Sequence, residues 1–184
     1  IISSDIDFIP GHPIAGTEHS GPDAGFADLF KNGWCILTPD KKVSTKSLNI
    51  VTEMWKKAGM KVDIMSSEHH DIVLAITSHI PHIIAYSIVG TVANLEEKLK
   101  KEVTKYAASG FKDFTRIAAS DPIMWRDILL LNKDAILEML GQFKYDLNFL
   151  EEAIKKNDGI FLQELFTKTR GIRKEIVIKS SKSN

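Results

Sequence analysis

A histidine set between glycines and followed at once by proline has the type and spacing that could do chemistry. It is His12, in the run Gly11-His12-Pro13-Ile14-Ala15-Gly16-Thr17-Glu18-His19-Ser20-Gly21. Glycines let a backbone approach a ligand closely, and Pro13 should lock the turn on which His12 sits. An imidazole titrates near neutrality and so can act as a general base. Spacing alone leaves open the ordinary alternative of a hydrogen-bonded surface histidine. His79 and His82, three apart around Pro81, should share one side of a helix and reach one ligand, although histidines among Ile80, Ile83 and Ile84 are often satisfied core residues. Glu68-His69-His70-Asp71 concentrates ligand-type side chains, but neighbours on a helix diverge by about 100° and no HExxH or CxxC spacing occurs. No metal is assigned, and Glu68 and Asp71 read as first-turn acids that suit a helix dipole.

The elements that must position these residues fall into two textures. Up to Ser66 the apolar runs are short and bounded by Gly and Pro, as in Trp34-Cys35-Ile36-Leu37 closed by Pro39, which favours strands and loops. Leu48, Val51, Trp55 and Ala58 follow helical spacing, with Ser44 or Thr45 as N-cap and Gly59 as stop. Val62 and Ile64 then alternate with charged residues, so a strand, helix, strand order of α/β type is expected.

From Ser67 onward apolar residues recur every three or four positions and the chain should be helical. One helix should start near Ser67, bend at Pro81 and run toward Ala108, with Gly110 as a break. Asp121-Pro122 pairs an N-cap carboxylate with proline at the first helical position, and a long helix, or two separated near Asn132, should follow. Helical pattern continues to Asp158-Gly159, and a last helix should cover about Ile160 to Ile176 before a polar tail. The expected fold is therefore mainly α, residues 67–184 forming an all-helical domain after a small α/β part over residues 1–66. Ile128-Leu129-Leu130-Leu131 and Ile83 to Val89 cannot hide in one amphipathic stripe, which fits either a central bundle helix or an obligate hydrophobic subunit interface.

Lys plus Arg and Asp plus Glu both number 24, so no net charge draws the chain to nucleic acid or an anionic membrane. The lone Cys35 cannot form an internal disulfide and reads as a buried thiol in a reducing, cytoplasmic setting. Ile72 to Val92, the most apolar stretch, contains Ser78, His79, Pro81 and His82 and reads as a buried helix, not a membrane span. The N-terminus has no signal-peptide pattern and no initiator methionine, which points to a start inside a longer protein.

Four motifs, taken together, carry a resemblance. Gly11 to Glu18, Trp34 to Pro39, Thr77-Ser78-His79-Ile80-Pro81-His82, and Gly110 to Ala118 with Asp121-Pro122-Ile123-Met124-Trp125 resemble the prephenate and arogenate (cyclohexadienyl) dehydrogenase family in the same order. The resemblance implies NAD(P)-dependent oxidative decarboxylation of a cyclohexadienol in tyrosine biosynthesis. Hydride leaves the carbon bearing the ring hydroxyl, carbon dioxide leaves the opposite carbon, and an aromatic ring results. His12 would take or share the hydroxyl proton.

Arg116 would grip a substrate carboxylate with its planar fork, the plain alternative being an ion pair with Asp113 or Asp121. Asp113 would orient Arg116 or its loop. Thr17, Glu18, His79, His82 and Trp125 would line the substrate pocket, although Trp125 could equally pack on the Asp121-Pro122 turn. The family resemblance also implies a homodimer, and it places residues 1–66 as the end of a Rossmann-type nucleotide-binding domain.

A dinucleotide site needs Gly-x-Gly-x-x-Gly between strand and helix, and that fingerprint is missing from this sequence. The chain should therefore supply the substrate site and dimer interface and be inactive alone. The rival reading is a non-catalytic helical domain that senses tyrosine or its aromatic precursors.

Overall fold

The computed structural model describes residues 6–16 and 21–182, with side chains described as far as Val177. Three short strands come first: β1 (Gly11–Ile14), β2 (Trp34–Leu37) and β3 (Lys61–Ile64). β2 is central, antiparallel to β1 with His12 opposite Ile36, and parallel to β3 with Cys35 opposite Val62. His12 thus stands in a strand and not on the expected turn. Pro13 is compatible with that strand because β1 lies at the sheet edge, where a missing N–H breaks no ladder bond.

The parallel pair is joined by α1 (Thr45–Lys57), whose N-cap is Ser44, its hydroxyl accepting from Ser47 N. The chain leaves α1 through Gly59, whose φ of +93° is a conformation that residues with a Cβ resist. Leu48, Val51 and Trp55 of α1 pack on a core of Cys35, Leu37 and Met60, so the lone thiol is buried. Gly11 is needed for closeness: a Cβ there would lie 3.1 Å from Leu37 Cδ2 and 3.4 Å from Trp55 Nε1. The residue before His12 thereby presses β1 against this core.

The helical part begins with α2 (Ser67–Leu74), capped by Ser66, and passes through a π-helical turn, Ala75–His79, into α3 (Ile80–Ala93). The bend expected at Pro81 takes this form. Proline removes a donor and crowds the carbonyl four residues earlier, Thr77, which lies inside the wider π turn. Ser67–Ala93 is long and apolar enough to cross a membrane by length and composition, yet it carries His79 and His82. The buried helix expected here is covered within this chain only in part, because Ile72, Ile76 and Val89 are exposed.

After α3 the chain forms α4 (Glu97–Tyr106) and α5 (Ser109–Thr115). Gly110, expected as a break, lies inside α5; the break falls at Ala107 and Ala108, whose ψ values of 106° and 176° are non-helical. A 3₁₀ turn, Arg116–Ala119, leads to α6 (Pro122–Leu131), where Asp121 Oδ1 accepts from Ile123 N at 2.8 Å and Met124 N at 2.9 Å. Asn132 separates α6 from α7 (Lys133–Lys155), and α8 (Gly159–Lys182) starts after Asp158, whose carboxylate accepts from Phe161 N. Asn157, with φ of +53°, makes the turn between them. α8 runs past the expected end near Ile176.

By packing, the chain forms two compact units, Ile1–Met139 and Leu140–Asn184. The sheet and the helices through α6 belong to the first. Compactness thus divides the chain inside α7. In the second unit Tyr145 meets Phe149 edge to face at 4.7 Å and Ala153 is buried, while Ile160, Phe166 and Ile176 are exposed.

Candidate active site

The edge strand carries His12 to the start of α2. His12 Nδ1 lies 2.9 Å from His70 Nε2, with the two rings edge to face at 5.2 Å. His70 Nδ1 in turn donates to Asp71 Oδ1 at 2.9 Å. Ser66 starts α2 where it does, accepting from His69 N, and so sets which face of the helix His70 turns toward β1.

A second pair of imidazoles comes from His79, the last residue of the π turn, and His82, in the first turn of α3. Asn132, between α6 and α7, donates through Nδ2 to the Asp71 carbonyl at 2.9 Å and to His79 Nδ1 at 3.1 Å. With Nδ1 accepting, neutral His79 keeps its proton on Nε2. His82 is the reverse, because its Nδ1 donates to the Ser78 carbonyl at 2.8 Å and leaves Nε2 as the acceptor. The two rings thus offer opposite polarity, one a donor and the other an acceptor.

Trp125, only 6% exposed on the first turns of α6, stacks on His82 at 3.5 Å and 19° and meets His79 edge to face at 6.1 Å. Its indole Nε1–H is buried without a hydrogen-bond partner among the described residues. Tyr86, one turn beyond His82, donates to the Ser120 carbonyl at 2.9 Å and so ties α3 to the segment that carries Arg116.

Electrostatics join the two pairs. Burial lowers the pKa of His12, with a further electrostatic contribution from His70. Burial likewise lowers that of His79, helped by His12, His70 and His82 and opposed by Asp71. For His82 burial is again the largest cause of a lowered pKa; the Ser78 hydrogen bond opposes it and the Arg116 charge adds to it. All three imidazoles are therefore held toward the neutral form, which for His12 is the form that can accept a proton.

His12, His79, His82, Trp125 and the charge of Arg116 accordingly lie in one interacting cluster. Asp113 is exposed on α5. Thr17 and Glu18 lie outside the described residues. Sequence patterns alone do not single out His70, Asp71 or Asn132 as parts of a site. Asp71 stands past the first turn that its reading as a dipole acid required, and it holds His70 instead. Only Asn132, polar between two apolar helices, offers a signal, and it reads as a helix stop.

No three His, Cys, Asp or Glu side chains among the described residues are grouped to hold a metal ion. A dinucleotide fares similarly, since the segments leading into α1 and α2, Thr38 to Ser44 and Met65 to Ser66, contain no glycine to cradle a pyrophosphate.

Comparison with known proteins gives two family matches. The model described as prephenate dehydrogenase, nucleotide-binding domain, matches residues 1–64, and that described as prephenate dehydrogenase, dimerization domain, matches residues 66–168. The cyclohexadienyl dehydrogenase of Zymomonas mobilis is 45% identical over 165 residues, which cover 90% of this chain and 56% of that protein. The crystal structure of prephenate dehydrogenase from A. aeolicus, in complex with hydroxyphenyl propionate and NAD+, superposes with a TM-score of 0.86 at 42% identity, covering 92% of this chain and 59% of that one. Synechocystis arogenate dehydrogenase superposes with a TM-score of 0.82 at 27% identity, covering 92% of this chain and 62% of that one. The chain thus spans less than two thirds of the length of these relatives.

Proposed function

Because the chain belongs to the prephenate dehydrogenase family, we propose that it carries the substrate site of an NAD(P)-dependent oxidative decarboxylation of a cyclohexadienol, prephenate or arogenate, in cytoplasmic tyrosine biosynthesis. The observation that carries this reading is the convergence of His12, from the sheet, with His79, His82 and Trp125, from the helices, under the charge of Arg116. A purely structural helical protein has no need to set two imidazoles against one buried indole and bring a third within electrostatic reach of them.

NAD(P), when bound, would supply the hydride acceptor. His12 takes the ring hydroxyl proton through Nε2 as the carbinol carbon is oxidised, and can return it to the phenolate oxygen once carbon dioxide is lost. His79 offers an Nε2–H to a substrate oxygen, and Arg116 offers its fork to a carboxylate. The stacked Trp125 and His82 wall the pocket and keep water from the ring.

Residues 67–184 serve as the substrate-binding and dimerisation domain in this reading, and residues 1–66 as the end of the nucleotide-binding domain. The active molecule is a homodimer, which would cover apolar side chains such as Leu130 and Leu131, 66% and 88% exposed in the single chain. Alone, the chain is inactive.

Joining it to a complete nucleotide-binding half and following NAD(P) reduction with prephenate and with arogenate tests the proposal. Turnover of at least one substrate in the joined protein, and of neither by the chain alone, is expected. Tight binding of either compound with no reduction in the joined protein would favour a ligand-sensing domain.

A further inference from the structure

The proton-accepting edge of His12 is decided two residues away. We propose that Asp71 and His70 are positioning residues for His12, a carboxylate-imidazole-imidazole chain that holds the His12 proton on Nδ1 and leaves Nε2 free as the base. The proposal rests on the reading of His12 as the proton acceptor, and it follows from hydrogen-bond polarity taken link by link.

A carboxylate only accepts, so the 2.9 Å bond from His70 to Asp71 Oδ1 places a proton on His70 Nδ1. A neutral His70 then has a lone pair on Nε2, and the 2.9 Å contact to His12 requires His12 Nδ1 to be the donor. His12 Nε2 is left with its lone pair. When Nε2 takes the hydroxyl proton, the imidazolium keeps its Nδ1–H on His70, whose own N–H stays on the Asp71 carboxylate. No proton need leave the chain.

The burial of the links differs in the way this role requires. The His70 side chain is 19% exposed and Asp71 49%, so the middle ring is held while the carboxylate keeps contact with water. The Asp71 carbonyl also accepts from Asn132, which holds His79, so the same residue anchors both imidazole arms of the site. The groups acting electrostatically on His12 are His70 beside it and, across the site, His79 on the π turn.

Asparagine at position 71 is nearly isosteric with aspartate but can donate. In Asp71→Asn the new amide, by donating to His70 Nδ1, moves the His70 proton to Nε2, which in turn forces the His12 proton onto its Nε2 and blocks the base. A merely structural Asp71 predicts the opposite ranking, with asparagine better tolerated than alanine. In the joined protein, Asp71→Asn should therefore lower kcat more than Asp71→Ala does, by about tenfold or more, with KM moved by less than about threefold.

Nitrogen-15 spectra of ring-labelled histidine read the tautomer without catalysis, the His12 signal being assigned by its loss in His12→Asn. A protonated Nδ1 in the unmutated protein, shifting to a protonated Nε2 in Asp71→Asn with the lower kcat, upholds the proposal. A His12 proton on Nε2 in the unmutated protein overturns it even where His12→Asn abolishes turnover, and the base reading then survives alone. A tautomer that switches in Asp71→Asn while kcat holds also overturns it, and takes the reading of His12 as base with it.

Discussion

At the scale of single residues, the functional weight lies on groups whose ionisation the fold has biased. His12→Asn retains bulk and polarity but cannot accept the hydroxyl proton, so kcat should fall by about 10²- to 10⁴-fold in the joined protein, measured by steady-state NAD(P) reduction. Arg116→Ala should raise KM far more than it lowers kcat, and Arg116→Lys should not restore it, because an ammonium lacks the two-pronged geometry. Equal loss of kcat and kcat/KM in Arg116→Ala would argue that the guanidinium acts only in the transition state.

The lowered pKa of His12 sets the pH behaviour: kcat/KM should fall on the acid side at a pH below the ordinary histidine value of about 6.5. Stability should move in the same direction. His12, His79 and His82 all have folded pKa values below the unfolded one, so the unfolded chain binds more protons as acid is added. Their contribution is present above about pH 6.5 and lost as pH falls through that value toward the folded pKa values. Urea midpoints taken across this range should fall with pH, and His79→Asn should flatten the dependence.

At the scale of elements, the site depends on helix starts. Asp121 fixes the first turn of α6 through two backbone N–H groups, and that turn aims Trp125 at His82. Asp121→Ala should destabilise the fold by about 1 kcal/mol while Asp121→Ser costs a fraction of that, both read from denaturant midpoints. Loss of the cap should also disturb the tryptophan fluorescence from position 125. The π turn has a comparable role, since widening the helix before Pro81 accommodates the ring without ending the helix and lets His79 and His82 both meet the indole.

At the scale of the whole molecule, exposed apolar surface is the chief observation. Ile123, Leu130, Leu131 and Leu137, on α6 and the start of α7, are all open in the single chain. Sedimentation should show a species of twice the 20.6 kDa chain mass, and Leu131→Glu should shift it toward monomer. A monomer at all concentrations would leave that surface without its proposed partner.

Local information sufficed where a single residue type enforces the backbone. Ser44 and Asp121 marked helix starts, Gly59 marked a helix stop, and the alternation around Val62 marked a strand, because capping, positive φ and strand periodicity act within a few residues. The change of texture at Ser67 announced the helices for the same reason, and the four motifs of the resemblance are likewise strings of neighbours. What the sequence could not contain is the pairing of distant polar groups. Asp71 looked like a helix acid and His70 like its neighbour until the sheet edge brought His12 against them, and Asn132 looked like a stop until α2 supplied its acceptor. Hydrogen-bond polarity needs partners, and these partners lie 53 to 61 positions apart, so only the tertiary structure decided which imidazole donates and which accepts.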